Sequence, residues 1–129
     1  MNTILVEVSV GELLDKISIL EIKKEKIKDS EKLKFINDEH EVLKNQLDKN
    51  VKSDEKIDKL FQSLKEINSK LWIIENDKRL CEKNSDFSEK FIKLSRDVHF
   101  LNDDRAKIKL EINTHTGSKI REIKYYTNY

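Results

Sequence analysis

Residues 9–27 read SVGELLDKISILEIKKEKI, a sequence typical of an α-helix with one apolar face. Ser9 can accept a hydrogen bond from a free amide of the first turn while Glu12 reaches back, which is the pattern of a capping box. Behind this start, apolar residues recur at helical spacing on one face, at Leu13, Ile17 and Leu20. The stretch therefore predicts an amphipathic helix that begins at Ser9 and buries one face.

Three more apolar stripes of helical period follow along the chain. Short polar residues that favour helix starts precede them, at Asp29–Ser30, at Ser53–Asp54 and at 84–86. The third stripe ends in residues 71–74, LWII, which are apolar all round and predict burial on several sides. A break centred on Gly117 ends the fourth stripe.

Short connections between the stripes predict that sequential helices pack antiparallel. Residues 3–8 alternate between apolar and polar side chains, which favours an extended segment. The tail at 120–129 is either a strand paired with residues 3–8 or a helical turn, and we favour the strand. The predicted fold class is all-α, an antiparallel bundle of three to four long helices with short extended N- and C-terminal segments. We expect residues 1–129 to form a single domain, with a long coiled coil as the second choice.

Composition narrows the class of protein. Basic and acidic residues number 26 and 25, so no basic excess points to nucleic acid. Cys81 is the only cysteine, which precludes an internal disulfide and favours a reducing compartment. No apolar run is long enough to span a membrane, and residues 1–8 lack the basic start and apolar length of a signal peptide. We therefore expect a cytoplasmic protein without a membrane or nucleic-acid partner.

Known motifs for cofactors and metals are incomplete in this sequence. Two glycines cannot build a phosphate-binding loop, so no cofactor is predicted. The three histidines lie far apart, without companions at ligand spacing. Glu12-x-x-Asp15 resembles half of a paired acidic motif for magnesium, but the matching half is missing and two carboxylates alone hold Mg²⁺ poorly. No metal site is predicted.

Charged residues interrupt three of the stripes at positions where apolar residues belong. Lys24 lies at the centre of the first stripe, Glu75 continues the third, and Arg105 lies within the fourth. Since an unpaired buried charge costs several kcal/mol, each must pair, reach solvent or face a ligand. With their helical neighbours they make up the candidate anion-binding residues: Lys24, Trp72, Glu75, Arg79, Asn102, Arg105 and Lys109.

The sequence leaves two interpretations of these residues open. A buried ion pair such as Glu75 with Arg105 would fix the register of the bundle. Alternatively, the cations would bind a carboxylate or phosphate, with Trp72 as an apolar or stacking wall. No catalytic residue can be named in either case.

Several segments together resemble an uncharacterised family of short bacterial and phage proteins. They are the opening run SVGELLDKISILEIK, residues 71–75 (LWIIE), residues 102–109 (NDDRAKIK), Ile112-Asn113, and Gly117-Ser118 with the following Glu122 and Lys124. The resemblance implies an all-helical cytoplasmic protein, often encoded near glycosyltransferase or surface-polysaccharide genes. It implies no established activity.

The leading functional hypothesis is a non-enzymatic helical interaction or accessory module that forms a homodimer, with a link to surface-polysaccharide biosynthesis. The alternative is a small helical-bundle enzyme or binding protein for an anionic, phosphate- or carboxylate-bearing small molecule. The partners expected are therefore a second copy, another protein or an anionic small molecule.

Overall fold

The computed structural model describes residues 2–129, and within that range it contains four α-helices and no strand. The helices are α1 (Val10–Lys26), α2 (Ser30–Asn50), α3 (Glu55–Lys83) and α4 (Glu89–Thr116). The predicted all-helical bundle is confirmed. The strand favoured for the tail is wrong, because residues 2–9 and 118–129 have no regular secondary structure. An isolated two-stranded ladder is marginal in water, and the tail instead bonds to side chains of α4.

Short polar side chains cap three of the helices, as predicted. The Ser9 hydroxyl accepts the Glu12 amide of α1 at 3.0 Å. The Asp29 carboxylate accepts two first-turn amides of α2, both at 3.0 Å. Asp54 accepts the Ile57 amide of α3 at 2.8 Å. Each cap satisfies amides that the helix itself leaves without a partner.

The start of α4 differs from the prediction. Its N-cap is Ser88, not a residue of 84–86. Asn84 instead ends α3 as its C-cap, and Ser85 turns the chain with a φ of 53°. Asp86 accepts the Ser88 amide at 3.1 Å, so it stabilises the turn before the helix. The polar cluster therefore forms the connection between two helices and not a cap.

Helix α1 lies at the centre of the bundle and packs against all three other helices, whereas α2 packs only against α1 among the helices. The core cluster joins Leu14, Ile57, Leu64 and Ile112, one or more from each of α1, α3 and α4. Because three helices surround it, α1 buries more than the single face that the sequence predicts. Helix α2 covers the core from outside and has no buried residue of its own.

Helices α3 and α4 form a long antiparallel hairpin. At one end His115 contacts Asp54 at 2.8 Å, and near the other end the Lys78 ammonium lies 5.9 Å from the Phe91 ring centroid. We call residues 73–97 the arm, since no hydrogen bond or ion pair joins them to α1 or α2. Ile73 is 53% exposed, so the predicted burial of residues 71–74 on several sides is wrong. Among the helices, α3 packs against α1 and α4 but not against α2, so part of its surface stays exposed in this stretch.

None of the helices described between residues 2 and 129 combines the length and apolar character needed to cross a bilayer.

Candidate functional site

The candidate site is centred on a buried carboxylate, that of Asp15 on α1, which is 1% exposed. Arg105 of α4 donates to it through two nitrogens, from Nε to Oδ1 at 2.9 Å and from Nη2 to Oδ2. This is the bidentate geometry in which guanidinium and carboxylate bind most strongly. The pair of Arg105 with Glu75, which one of the two interpretations suggested, does not form, because Asp15 binds the guanidinium and Glu75 is exposed on α3.

Two polar side chains make the remaining hydrogen bonds to Asp15, one to its carboxylate and one to its backbone carbonyl. Asn68 of α3 donates from Nδ2 to Asp15 Oδ1 and to Ser18 Oγ, both at 2.8 Å. The Ser18 hydroxyl donates to the Asp15 carbonyl at 2.7 Å. In the chain from residue 2 onward, no buried side-chain nitrogen or oxygen lacks a hydrogen-bond partner. A fully satisfied network of this kind holds the Arg105 side chain in one orientation.

Lys109 adds a second layer one turn further along α4. Its Nζ donates to Glu12 Oε2 at 2.7 Å and to Glu122 Oε2 at 2.9 Å, and lies 3.7 Å from Asp15 Oδ2. The Glu12 carboxylate is thus directed to Lys109 and does not complete the predicted capping box. A charge-assisted bond to a largely buried ammonium is stronger than a bond to a backbone amide.

The environment favours the charged forms of Lys109, Arg105 and Glu122. Burial opposes the charge on Lys109, but hydrogen bonds to Glu12 and Glu122 outweigh it and raise the pKa of the ammonium. The hydrogen bond to Asp15 raises the pKa of Arg105 against the effect of burial. Lys124, followed by Lys109, lowers the pKa of Glu122 to about 2.

A glycine allows α1 to approach α4 closely enough for this network to form. The Gly11 amide donates to Asn113 Oδ1 at 2.7 Å. A Cβ atom at Gly11 would lie only 2.6 Å from the backbone oxygen of Lys109. Any larger residue would therefore push the helices apart. Because Asp15 lies one turn after Gly11, this close approach also brings Asp15 to Arg105.

Beside Arg105, an open cleft of about 440 Å³ lies among α1, α3 and α4. It brings together five of the seven side chains predicted from the sequence: Trp72, Glu75, Arg79, Asn102 and Arg105. Ile19, Ile22 and Leu71 form its apolar wall, and Asn68 and Asn76 contribute further amides. The cleft thus combines cations, amides, a carboxylate and an apolar surface that solvent can reach.

The two remaining predicted residues lie outside this cleft. Lys109 lines an adjoining cleft of about 410 Å³ that shares Asn102 and Arg105 with the first. Lys24 lies elsewhere, since its Nζ donates to His40 Nδ1 of α2 at 3.2 Å. The apolar stripe on which Lys24 was placed faces α2 at that level. There the side chain is only partly buried and pairs locally.

Several donors in the cleft remain available to a ligand. Arg105 has five N–H groups, and those that bond Asp15 and Asn102 leave two over. Arg79 and Glu75 form no ion pair with any residue in the described part of the chain. The half-buried Trp72 adds a flat surface. Between residues 2 and 129, no group of three or more His, Cys, Asp or Glu side chains is arranged to hold a metal ion.

Sequence reasoning missed Asp15, Ser18 and Glu122 as parts of the site. A second stripe was present along α1 for the first two, since Gly11, Asp15, Ser18 and Ile22 recur at helical spacing. All four are buried. Glu122 lies in the irregular tail, where no helical spacing applies, so only the resemblance to the family pointed to it.

Comparison with known proteins identifies the family. No curated protein and no solved structure matches the chain. The family model described as "Family of unknown function (DUF6165)" matches residues 4–129, which is nearly the whole chain and includes every residue of the two clefts. The chain therefore belongs to this family of unknown function, DUF6165.

Proposed function

We propose that this protein is a non-enzymatic binding module that holds a small phosphate- or carboxylate-bearing molecule in the cleft beside Arg105. The observation that carries the proposal is the convergence of Trp72, Glu75, Arg79, Asn102 and Arg105 on one open cleft. Residues brought together from two helices in this way are typical of ligand sites between the helices of a bundle.

The charges in the cleft favour an anion. Asp15 already neutralises Arg105 but leaves it two N–H groups, so Arg105 can orient an anionic oxygen without adding a full charge. Arg79 has no ion-pair partner within residues 2–129, so its guanidinium is available to pair with an anionic group. Glu75 lies in the same cleft and would repel a purely anionic molecule. The best match is a ligand with an anionic group and, at a distance from it, a hydroxyl or amino donor for Glu75.

Binding is favoured over catalysis by the way Asp15 is used. Its side chain accepts hydrogen bonds from Asn68 and, at both oxygens, from Arg105. A carboxylate engaged in this way positions its partner and is not free to take a proton from a substrate. The same arrangement resembles the supporting contacts that fix binding groups in preorganised sites.

Calorimetric titration with inorganic phosphate, sugar phosphates, nucleotide sugars and dicarboxylates tests the proposal. Phosphorylated sugars and nucleotide sugars come first, because the sequence resembles proteins encoded near surface-polysaccharide genes. We expect saturable binding that Arg79→Met reduces at least about tenfold, as expected when a charged hydrogen bond is lost. Arg121→Met is the matched control, since Arg121 lies in the exposed tail. Absence of binding across the panel, or an equal loss in both variants, would refute the proposed site.

We also propose that the module acts in the cytoplasm as an accessory factor and as a homodimer. The buried free thiol of Cys81 supports a reducing compartment. Large apolar side chains exposed on the arm, among them Ile73 and Leu80, support association. Cell fractionation with an antibody against the protein tests the location, and recovery in a membrane or secreted fraction would contradict it.

A further inference from the structure

The C-terminal tail, residues 118–129, lies against α4 and is tied to the bundle most firmly at its start. The Ser118 amide donates to the Asn113 carbonyl at 2.9 Å, and the Ser118 hydroxyl accepts the Val10 amide at 3.3 Å. All of residues 119–129 are exposed, and within this described segment no backbone–backbone hydrogen bond is formed. Beyond Ser118, side-chain contacts therefore hold the tail on α4.

The far end of the tail is held by an aromatic contact. The Tyr129 ring lies against the rings of His99 and Phe100, with 5.4 Å between centroids in both pairs. The Tyr129 hydroxyl donates to the Asp103 carboxylate of α4. Between Ser118 and Tyr129 the tail lines the adjoining cleft of about 410 Å³, which we call the second cleft. The tail thus forms a strap, attached at both ends, along one side of this cleft.

In the middle of the strap, two ammonium groups hold the Glu122 carboxylate. Its Oε2 accepts from Lys109 Nζ at 2.9 Å, and its Oε1 accepts from Lys124 Nζ at 2.7 Å. Lys109 is 8% exposed, and Arg105, one turn before it on α4, lines the same cleft. Charge-assisted bonds to both oxygens are also the way in which cationic side chains bind an anionic ligand. Here the chain itself supplies the carboxylate.

We propose that Glu122 occupies an anion-binding subsite in the second cleft, and that the tail is an autoinhibitory strap which a ligand with two anionic groups displaces. The inference rests on the proposed function, because the first anionic group of this ligand binds at Arg79 and Arg105 in the first cleft, that of about 440 Å³. The second group takes the place of the Glu122 carboxylate at Lys109. Glu75 lines only the first of the two clefts, so it does not face the second group.

The charges around the second cleft favour exchange over simple addition of an anion. The cleft is lined by three acidic and three basic side chains, those of Glu12, Asp103, Glu122, Arg105, Lys109 and Lys124. An anion added to this balanced set would leave an excess of negative charge. When a ligand carboxylate replaces that of Glu122, the balance is kept, and Asp15 stays paired with Arg105 throughout.

The two clefts are close enough for one small molecule to reach both. They share Asn102 and Arg105. Arg105 and Lys109 are four residues apart, which is about 6 Å along α4. A five-carbon dicarboxylate such as glutarate spans about this distance. Pentanoate has the same number of carbons and a single carboxylate, so the pair of probes measures what the second anionic group contributes.

Calorimetric titration of the full chain with glutarate and with pentanoate tests the subsite. In the wild type we expect similar affinities for both, because Glu122 competes with the second carboxylate. Glu122→Ala removes this competitor and should raise the affinity for glutarate about tenfold, with pentanoate nearly unchanged. A tenfold change corresponds to a contact that is closed in about nine-tenths of the molecules.

A second variant loosens the strap without changing any charge. Tyr129→Ala removes the aromatic contact at the far end, outside the second cleft, and lowers the effective concentration of Glu122 at Lys109. The affinity for glutarate should rise at least about threefold. Tyr125→Ala is the matched control, since Tyr125 is 96% exposed in the same tail and should leave both affinities as in the wild type. Circular dichroism must show the same helix content for all four proteins.

The outcomes separate this inference from the proposed function. Pentanoate binding that Arg79→Met weakens, together with a glutarate affinity that neither Glu122→Ala nor Tyr129→Ala raises, would overturn the strap alone. A rise in Glu122→Ala without one in Tyr129→Ala would reduce the role of Glu122 to charge repulsion and would also overturn the strap. If neither probe binds to any of the proteins, the proposed function is refuted and this inference with it.

Discussion

Removing the guanidinium of Arg105 is the most direct test of the buried network. Arg105→Met keeps much of the side-chain volume but leaves the Asp15 carboxylate, 1% exposed, without its bidentate partner. Loss of one member of a buried ion pair commonly costs about 3–5 kcal/mol, because the other charge stays desolvated. Two features place the expected value near the lower end. Asp15 keeps its bond from Asn68, and the Lys109 ammonium remains 3.7 Å away.

Solvent access to Arg105 reduces the value further. The side chain of Arg105 is 28% exposed, so part of its attraction to Asp15 is already screened. We therefore expect Arg105→Met to lower the free energy of unfolding by about 2–4 kcal/mol. Arg121→Met, at an exposed position in the tail, should change it by less than about 0.5 kcal/mol.

A double-mutant cycle with Asp15→Asn isolates the pair from other effects of each substitution. Asn offers one acceptor where Asp15 offers two, so the single variant should also be destabilised. Because both substitutions disrupt the same pair, we expect the double variant to be more stable than the sum of the single effects by about 1–3 kcal/mol. Urea denaturation followed by far-ultraviolet circular dichroism measures all four proteins. A coupling energy below about 0.5 kcal/mol would show that Arg105 and Asp15 act independently, against the geometry described above.

Three further substitutions test the close approach of α1, the docking of the tail and a cap. Gly11→Ala should lower the free energy of unfolding by about 1–3 kcal/mol, because the new Cβ meets the Lys109 backbone. In a helix without this obstruction, the same substitution would be stabilising. Unchanged or raised stability in urea denaturation would contradict the close approach. Glu122 has its pKa lowered from 4.5 to about 2, so its stabilising effect is complete above pH 4.5 and is lost as the pH falls toward 2. Glu122→Gln should flatten that part of the acid-unfolding curve, while Glu7→Gln in the N-terminal segment should leave it unchanged. Asp29→Ala removes the acceptor of two amides at the start of α2 and should cost about 1 kcal/mol in thermal unfolding; no change would show that solvent replaces the cap.

Local patterns in the sequence were sufficient to predict where the first three helices begin. Ser9, Asp29 and Asp54 are short polar residues directly before apolar stripes, and each caps a helix as predicted. The start of α4 was predicted at 84–86 and was wrong. Helix α3 continues to Lys83 and takes Asn84 as its C-cap, so α4 begins only after Ser88, which makes no side-chain hydrogen bond to the helix.

The sequence showed which charged residue needs an ion-pair partner, but it did not show which residue of another helix supplies that partner. The interruption of an apolar stripe at Arg105 indicated a charge that required compensation. Helical periodicity does not reveal which helix faces that charge, however. The sequence suggested Glu75 or an anion as the partner, whereas the actual partner, Asp15, is 90 positions away in sequence. The assignment of Lys24 to the anion site was wrong for a related reason. Its stripe was correct, but that stripe faces α2, an outer helix with no buried residue.

The two interpretations of Arg105 that the sequence left open concern opposite sides of one guanidinium. On the side toward α1 the guanidinium pairs with Asp15, as the structural interpretation requires. Toward the cleft it retains N–H groups beside Asn102 and near Arg79, and this side accounts for a ligand site. A substitution at Arg105 therefore changes stability and binding together and cannot separate them. Arg79 makes no ion pair within residues 2–129, so its replacement should change binding with little effect on the stability of the bundle.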